Sequence, residues 1–475
     1  MKNNRTYINK LIKNKYQSSV FYILLFPIIL NFISNIVNQN INNLFIKFNL
    51  YDIFSSLLIF TFLLIVGDIV KSVFNLRSRI FGIIIFLTSF FLLDIHLLFL
   101  IKSLTFENIY YLNLTLWSLL LIIRKKNIEL SKIFLAILNL LLIKINNSIF
   151  FDFLTKNKNL IGDVEAVFLK QSSNIYEYSY KYSIINYADE GYPQFTSYVQ
   201  SLIHKISFNT ESFIFVTSTS QVIFYLSILF FWESKISRFG KIYVSLIYTF
   251  LIINNEFYQF LFTSSLMSEG IVNLFTAVIL YELALSIEGK NQKLIYFFFL
   301  GVLYLTKQFI STISIILSLF FVFKKNSRKL ALISIYPLLL KELLLFTSFK
   351  NINSSHHLNQ INVMDTFFDL ITFSNLEFEN ILIIFNNLYK DKPFILLVFV
   401  LSLVLIFNLI KHKKIDFISK IFVFVILSNI FLTLCIYISA WKNMELESPV
   451  RFILTYFHLY IITIFINIEK LKQKN

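Results

Sequence analysis

The stretches DIFSSLLIFTFLLIVGDIV at residues 52–70 and IFGIIIFLTSFFLLDIHLLFLI at residues 80–101 decide the fold. Each is about 20 residues long and apolar, which is enough for an α-helix to cross a hydrocarbon core about 30 Å thick. The link between them carries Lys71, Arg77 and Arg79, and basic links of this kind are retained on the cytosolic side of a membrane. The pair therefore predicts a helical hairpin that crosses the membrane twice and turns in the cytosol.

The same pattern continues along the whole chain. Of its 475 residues, 57% are hydrophobic and only 15% are charged, whereas a soluble domain carries about 25% charged residues. The fold class expected is an all-α polytopic membrane protein with about 12–14 transmembrane helices. We predict spans near residues 20–37, 52–70, 80–101, 109–123, 130–147, 211–232, 241–254, 258–286, 294–306, 308–323, 330–347, 393–410, 417–440 and 450–468.

The positive charge is arranged in a way that argues against a nucleic-acid partner. The net charge is +16, and 28 of the 43 Lys and Arg residues fall into eight short clusters between apolar stretches. Every second connection carries a cluster, as the positive-inside rule requires of cytosolic loops. We therefore predict a multi-pass membrane protein with both termini in the cytosol. The clusters lie within residues 2–15, 71–79, 124–132, 235–241, 290–293, 324–329, 411–420 and 470–474.

Two long connections on the outer side divide the chain into five regions. The first outer loop is rich in Tyr, Ile, Phe and Val, and we expect it to fold into a partly helical structure. Loops of this length are usually either functional or disordered. The regions are 1–147 (N-terminal transmembrane helices), 148–210 (first outer loop), 211–347 (transmembrane helices), 348–392 (second outer loop) and 393–475 (C-terminal transmembrane helices).

Ionisable residues inside the predicted spans lie mostly toward the outer ends. Asp94, His96 and Glu269 belong to this set, and such residues mark functional sites by default because they are costly inside a membrane. Their common position predicts an aqueous cavity that opens outward beneath the first outer loop. Snorkelling of single side chains to the interface is the other interpretation. The stretch 294–323 is basic at both flanks, so it must either cross twice or re-enter, and we predict two short helices that turn near Lys307.

Four short motifs occur in order over roughly residues 160–460. They are GDVEAVFLK at 162–170, YADEGYPQFTSY at 187–198, LTKQ at 305–308 and ESPVRF at 447–452. Together they resemble motifs of the bacterial membrane glycosyltransferases of the GT-C type. The resemblance implies a GT-C-like fold in the bacterial inner (plasma) membrane. It also implies transfer of a sugar, with inversion, from a polyprenyl-phosphate carrier to an acceptor hydroxyl on the outer face. The implied partners are a lipid-linked sugar donor, membrane lipids and a glycan, glycolipid or protein acceptor in the cell envelope.

The resemblance implies a catalytic base in the acidic motif. Asp163 is expected to take the acceptor proton, and Glu165 to orient this base or to help bind a divalent cation, Mg or Mn. Two carboxylates alone are a small ligand set for such a cation. Asp163 is also a favoured N-cap residue for a helix over 164–175. The single cysteine, Cys435, excludes an intramolecular disulfide and a cysteine-based metal cluster.

Cations near the outer ends of the spans are expected to bind the phosphate of the donor. Lys170 shares a helix face with Asp163 if both are helical, and Lys307 and Arg451 lie at predicted outer turns. A guanidinium suits two phosphate oxygens better than an ammonium does. Ordinary solvation of Lys170, and snorkelling of the other two, remain open.

A second set of side chains is expected to bind the sugar or the acceptor. Carboxylates can accept hydrogen bonds from hydroxyl groups, and a tyrosine ring can stack on a sugar. Some of them have no such role if they are ordinary turn residues or part of an interfacial aromatic belt. The set is Asp189, Glu190, Tyr192 and Glu269.

Three other functions stay open at this stage. A transporter or flippase of lipid-linked or small solutes suits the number of spans, but it does not need a structured outer loop with several carboxylates. A polysaccharide polymerase or ligase is chemically close, but it would present Arg in its large outer loop, and residues 148–210 contain none. A non-catalytic scaffold is the third.

Overall fold

The computed structural model describes the chain in separate segments and is helical throughout them. Of the described residues, 92% are helical and none is in a strand, which confirms the all-α prediction for them. The described residues are 50–100, 104–124, 129–150, 170–180, 183, 194–207, 218–254, 268–289, 293–306, 308–323, 327–340, 372, 379–412, 415–439 and 453–472.

We number sixteen helices in chain order. They are α1 (Leu50–Phe74), α2 (Arg79–Leu100), α3 (Phe106–Ile123), α4 (Leu130–Phe150), α5 (Lys170–Glu177), α6 (Phe195–Ile206), α7 (Ser218–Glu233), α8 (Arg238–Asn254), α9 (Ser268–Glu288), α10 (Leu294–Val302), α11 (Gln308–Phe323), α12 (Arg328–Ala331), α13 (Glu379–Lys390), α14 (Lys392–His412), α15 (Phe417–Ser439) and α16 (Phe457–Lys472). Short 3-10 turns follow α10 and α12 and precede α16.

Seven of the described helices are long and apolar enough to cross a membrane, as a multi-pass membrane protein requires. Three shorter apolar helices accompany them, in α7, α10 with its 3-10 turn, and α11. The predicted first span, 20–37, lies outside the described residues. The seven long segments are Ile53–Phe74, Arg79–Leu97, Phe106–Ile123, Leu130–Ile149, Gly270–Glu288, Lys392–His412 and Phe417–Cys435.

The hairpin of α1 and α2 has the predicted turn and an unusually close crossing. Asn75 adopts φ 52° after the end of α1, and the Leu76 N–H donates to the Lys71 carbonyl at 2.9 Å, which is the Schellman arrangement that ends many helices. Farther along, a β-carbon on Gly82 would lie 2.5 Å from the carbonyl oxygen of Gly67. The two backbones therefore approach more closely than residues with side chains allow.

A second hairpin confirms the predicted pair of short helices within residues 294–323. The Phe297 ring of α10 and the Phe321 ring of α11 lie 5.7 Å apart, although 24 residues of continuous helix would separate them by about 36 Å. The Ser314 hydroxyl also donates to the Leu300 carbonyl. The chain therefore turns back on itself after the 3-10 turn, close to the predicted position.

Helix α9 is the central element of the described bundle. Its residues 270–287 are all buried, and it contacts α2, α6, α7, α10, α15 and α16. It also carries polar groups into the core: the Asn273 side chain contacts the Leu454 carbonyl at 3.3 Å and His458 Nδ1 at 2.9 Å. A helix buried on all sides in this way fixes the positions of the helices around it.

The two ends of the bundle have different character. At one end, which we call the basic end, the turns 75–78 and 234–237 meet the end of α9 and Lys293. At the opposite end, which we call the loop end, α5 and α6 from the first outer loop pack against α2, α3 and α9. The fold thus separates basic turns from folded loop structure.

The close approach of Gly67 and Gly82 predicts that an alanine substitution lowers stability, although the same substitution usually stabilises a helix. Gly→Ala inside a helix normally stabilises it by about 1 kcal/mol, but Gly82→Ala would press a methyl group against the Gly67 carbonyl. We expect the variant to be destabilised by about 1–3 kcal/mol instead. Thermal unfolding in detergent measures this, with Ser118→Ala on the exposed side of α3 as the control. An unchanged or raised midpoint for Gly82→Ala would show that the crossing is looser than described.

Candidate functional site at the loop end

The folded part of the first outer loop is buried in the bundle. Every residue of α6 is buried except Lys205, which is half-buried. The rings of Phe195 and Tyr198 pack edge-on against Phe91 of α2 at 5.1 and 5.3 Å, and Phe195 also meets Phe275 of α9 at 5.4 Å. The predicted folding of this loop is therefore found in the residues that the structure describes, and α6 is part of the core.

Serine and glutamine side chains let the polar faces of α5 and α6 enter the core together. The Ser172 hydroxyl donates to Gln200 at 2.7 Å, and the Ser197 hydroxyl donates to Gln171 at 3.0 Å. The Ser201 hydroxyl donates to the Ser172 carbonyl at 2.8 Å. Buried polar groups are costly unless they are hydrogen-bonded, so this pairing is what allows two amphipathic helices to be buried face to face.

Asp94 of α2 lies directly beneath α6. Its side chain is only 4% exposed and is hydrogen-bonded to the Tyr198 hydroxyl, which also lies 3.2 Å from the Phe90 carbonyl oxygen. Burial and the neighbouring Asp94 raise the pKa of Tyr198 well above its ordinary value, so the hydroxyl keeps its proton. Asp94 itself does not face water, because it is buried beside Tyr198 and Tyr180; the outward-opening cavity beneath the loop stays a prediction.

A charged group of α6 reaches the start of α3. The Lys205 ammonium forms an ion pair with Glu107 at 3.0 Å and lies 5.6 Å from the centre of the Tyr176 ring. The same ring packs edge-on against His204 at 4.8 Å. Burial, with a smaller effect of Lys205, lowers the pKa of His204 to about 3, so this imidazole is neutral when α6 is packed in place.

Asparagine and glutamine side chains tie the rest of the loop end together. Asn147 near the end of α4 accepts from the Ser55 hydroxyl at 2.9 Å and donates to the Ser207 carbonyl at 2.8 Å. The Ser56 hydroxyl donates to Gln221 at 2.6 Å. The segment that leaves α6 is therefore held to α1 and α4.

His96 is another of the ionisable residues that the sequence places toward the outer end of a predicted span. Its Nε2 lies 2.5 Å from the Tyr336 hydroxyl, and the two rings stack at 5.7 Å. It therefore joins α2 to the segment 335–340 rather than meeting α6.

Most of the side chains predicted for catalysis and binding fall outside the described residues. For Lys170 and Glu269 the structure describes the backbone: Lys170 opens α5, and Glu269 is the second residue of α9. Both helices reach the loop end through their contacts with α6. The predicted residues outside the described part are Asp163, Glu165, Asp189, Glu190, Tyr192, Lys307 and Arg451.

The predicted divalent-cation pair, Asp163 and Glu165, is among those residues. Within the described part of the chain, no group of three or more His, Cys, Asp or Glu side chains is placed to hold a metal ion.

At the basic end, a group of side chains that the sequence did not single out joins several helices. The Arg79 guanidinium lies 3.1 Å from Asp68 and 3.6 Å from Glu233. The other Glu233 oxygen accepts the Arg79 and Ile80 backbone N–H groups at 2.9 and 3.0 Å. Arg77 donates to the Leu285 carbonyl at 2.9 Å. We call Asp68, Arg77, Arg79 and Glu233 the basic-end clasp; it joins α1, α2, α7 and α9.

The Tyr198–Asp94 hydrogen bond is expected to hold α6 in place. Tyr198→Phe keeps the ring packing but leaves a buried carboxyl without this partner, which costs about 1–3 kcal/mol. We expect faster hydrogen exchange across residues 195–206, measured by mass spectrometry in nanodiscs. Tyr178→Phe removes a hydroxyl from an exposed side chain and should leave that exchange unchanged. Equal exchange in both variants would contradict a holding role.

His204 makes the docking of α6 dependent on pH. Its pKa is about 3 when buried and about 6.5 when exposed, so the undocked state binds the additional proton. Docking is therefore at full strength above pH 6.5 and weakens as pH falls toward 3, by about 2 kcal/mol between pH 7 and pH 5. Hydrogen exchange across residues 195–206 should rise over this range in the wild type and stay flatter in His204→Gln. His412→Gln at the basic end should retain the wild-type pH dependence.

Comparison with known proteins gives no relative for this chain: no family model, no curated protein and no solved structure matches it. What the protein does must therefore be argued from its own residues.

Proposed function

We propose that this chain is an integral membrane glycosyltransferase of the GT-C type that moves a sugar from a polyprenyl-phosphate carrier to an acceptor hydroxyl. The observation that carries the proposal is the buried α5–α6 pair. Its first residue, Lys170, closes the motif GDVEAVFLK, and its residue Tyr198 closes the motif YADEGYPQFTSY. Two of the four motifs that carry the resemblance thus end in one folded unit set into the loop end.

A fixed unit of this kind suits catalysis because reacting groups must be held in place. Catalytic geometry depends on side chains whose supports do not move. The Ser–Gln pairs and the Tyr198–Asp94 hydrogen bond bind α5 and α6 to each other and to α2. A loop with only a lipid-covering or linking role does not need a buried hydrogen-bond network.

The proposed reaction assigns one role to each group. The acceptor oxygen attacks the anomeric carbon of the sugar as the bond from that carbon to the carrier phosphate oxygen breaks. Asp163 takes the acceptor proton, and Glu165 orients it. Lys170, Lys307 and Arg451 offset the charge that remains on the carrier phosphate.

The second set of residues binds the hydroxyl groups of the sugar and of the acceptor in this proposal. Asp189, Glu190 and Tyr192 precede α6 within the same motif, and Glu269 lies in the first turn of α9. Phe275 of α9 contacts α6, and Glu269 lies six residues before it, about 9 Å along the helix toward the loop end.

In this proposal the basic end faces the cytosol and the loop end faces outward. The basic-end clasp closes the cytosolic side, and an enzyme that works on the outer face needs no passage there. Arg79 of the clasp is buried between two carboxylates, so opening this end would expose charges that are paired in the closed bundle.

A transporter or flippase is the second candidate, favoured by one observation. Asp94 is a carboxyl group buried inside a membrane-spanning helix, and such groups often belong to ion or proton pathways. A transporter would have to open the basic end at some stage, whereas the proposed enzyme would not.

Sugar transfer is tested with the purified protein in nanodiscs and a panel of radiolabelled polyprenyl-phosphate sugars. We expect turnover by the wild type and a loss of about 100-fold or more in Asp163→Asn, which cannot act as a base. Glu177→Gln on α5 is the matched control and should keep wild-type turnover. Equal turnover of Asp163→Asn and wild type would remove Asp163 from the mechanism while leaving the enzyme class.

A cross-link at the basic end separates the enzyme from the transporter. Lys235, in the turn after α7, and Glu288, at the end of α9, form an ion pair of 3.4 Å, and Cys435→Ser leaves a background without cysteine. In that background, Lys235→Cys with Glu288→Cys can be joined by a short bismaleimide. We expect sugar transfer to survive the cross-link. Absence of sugar transfer in the wild type, together with solute movement across liposomes that the cross-link blocks, would establish the transporter instead.

A further inference from the structure

Helix α13 carries apolar side chains on two different sides. Ile384 and Leu388 are buried, and the helix packs on α14 and α15. On its other side, Leu382, Phe385 and Tyr389 are 73%, 55% and 75% exposed. Their spacing of three and four residues places them on one stripe of the helix. Exposing a stripe of three large apolar side chains to water is unfavourable, so the stripe requires an apolar partner.

The junction with α14 shows where this stripe lies. Only Asp391 separates α13 from α14, and its carboxylate accepts the Phe394 backbone N–H at 3.0 Å. Directly beyond, α14 is a membrane-spanning segment with exposed apolar residues such as Leu396 and Phe399. The exposed side of α13 is therefore next to the place where a lipid-facing helix reaches the edge of the hydrocarbon layer.

Charge at the junction points to the same partner. Lys390 ends α13, Lys392 begins α14, and both are exposed. Lysines with a tyrosine at the level of the headgroups, and aliphatic or phenyl groups below them, are the arrangement of interfacial helices.

We propose that α13 is a membrane-interface helix. Leu382, Phe385 and Tyr389 lie in the boundary between headgroups and acyl chains at the loop end, and Lys390 and Lys392 contact lipid phosphates. The helix couples the second outer loop to the bilayer surface. This inference stands independently of the proposed sugar transfer, because its occupant is bulk phospholipid rather than a substrate.

Spin-label accessibility in nanodiscs of neutral and anionic phospholipid tests the proposal. In the Cys435→Ser background, Leu382→Cys, Phe385→Cys and Tyr389→Cys each receive a nitroxide, and collisions with oxygen and with a polar nickel complex are measured. We expect all three labels to collide readily with oxygen. Their collision rate with nickel should be about fivefold lower than at Glu379→Cys in the first turn of the same helix, because the lipid boundary excludes polar solutes.

Leu396→Cys on α14 supplies the lipid-facing reference, and the three labels on α13 should resemble it. Nickel collision rates on all three as high as at Glu379→Cys would place the stripe in water and overturn the proposal. Low collision with both reagents would show that protein covers the stripe, either another segment of this chain or a second copy of it, and would overturn the proposal equally. Because three separate positions are labelled, failure of one variant to fold leaves the test intact.

Discussion

The paired charge of Arg79 is the interaction on which the described bundle depends. A guanidinium buried at the start of α2 must be compensated, and Asp68 of α1 and Glu233 of α7 compensate it. This requirement fixes three helices at one end. Asp94 lies 15 residues farther along α2, about 22 Å away, and receives Tyr198 of α6 at the other end. A single helix therefore links the clasp at the basic end to the docked loop, and removing either partner group would leave a buried charge or carboxyl uncompensated.

The sequence anticipated the features that local pattern determines. Apolar length and a basic link predicted the α1–α2 hairpin, and the basic residues at both flanks of 294–323 predicted the turn within that stretch. The pairing of Asp94 with Tyr198 could not be read in this way. Both residues are present in the sequence, but they are 104 positions apart, and only tertiary packing brings them together.

Glu233 was not predicted for a similar reason. At the end of an apolar stretch it resembles an ordinary boundary residue, and its function as a partner for Arg79 depends on where α7 meets α2. The side chains predicted for catalysis lie outside the described residues, so their geometry stays a prediction.

The two ends of the bundle bear differently on the proposed activity. The clasp joins α1, α2, α7 and α9 through ionic and backbone contacts, and breaking it would separate charges in a poorly solvated place. In the core of the loop end, by contrast, neutral hydrogen bonds join Ser, Gln and Asn side chains, and the Lys205–Glu107 ion pair is partly exposed. An enzyme that admits its substrates from the loop end can keep the basic end closed throughout its reaction, whereas alternating access requires both ends to open.

The contrast between α6 and α13 shows how composition places two amphipathic helices in different surroundings. Helix α6 carries Ser197, Gln200 and Ser201, small or amide side chains that can satisfy one another when buried against α5, so protein can cover it on all sides. Helix α13 ends in Lys390 and exposes Leu382 and Tyr389. An ammonium group beside large apolar groups cannot be buried without a partner. It is stable, however, at the boundary between lipid phosphates and acyl chains. A sugar carried on a polyprenyl phosphate would approach from within that same leaflet. In these two proposals, the lipid-contacting helix α13 therefore lies at the same end of the bundle as the α5–α6 pair, the unit proposed to act on a lipid-borne sugar.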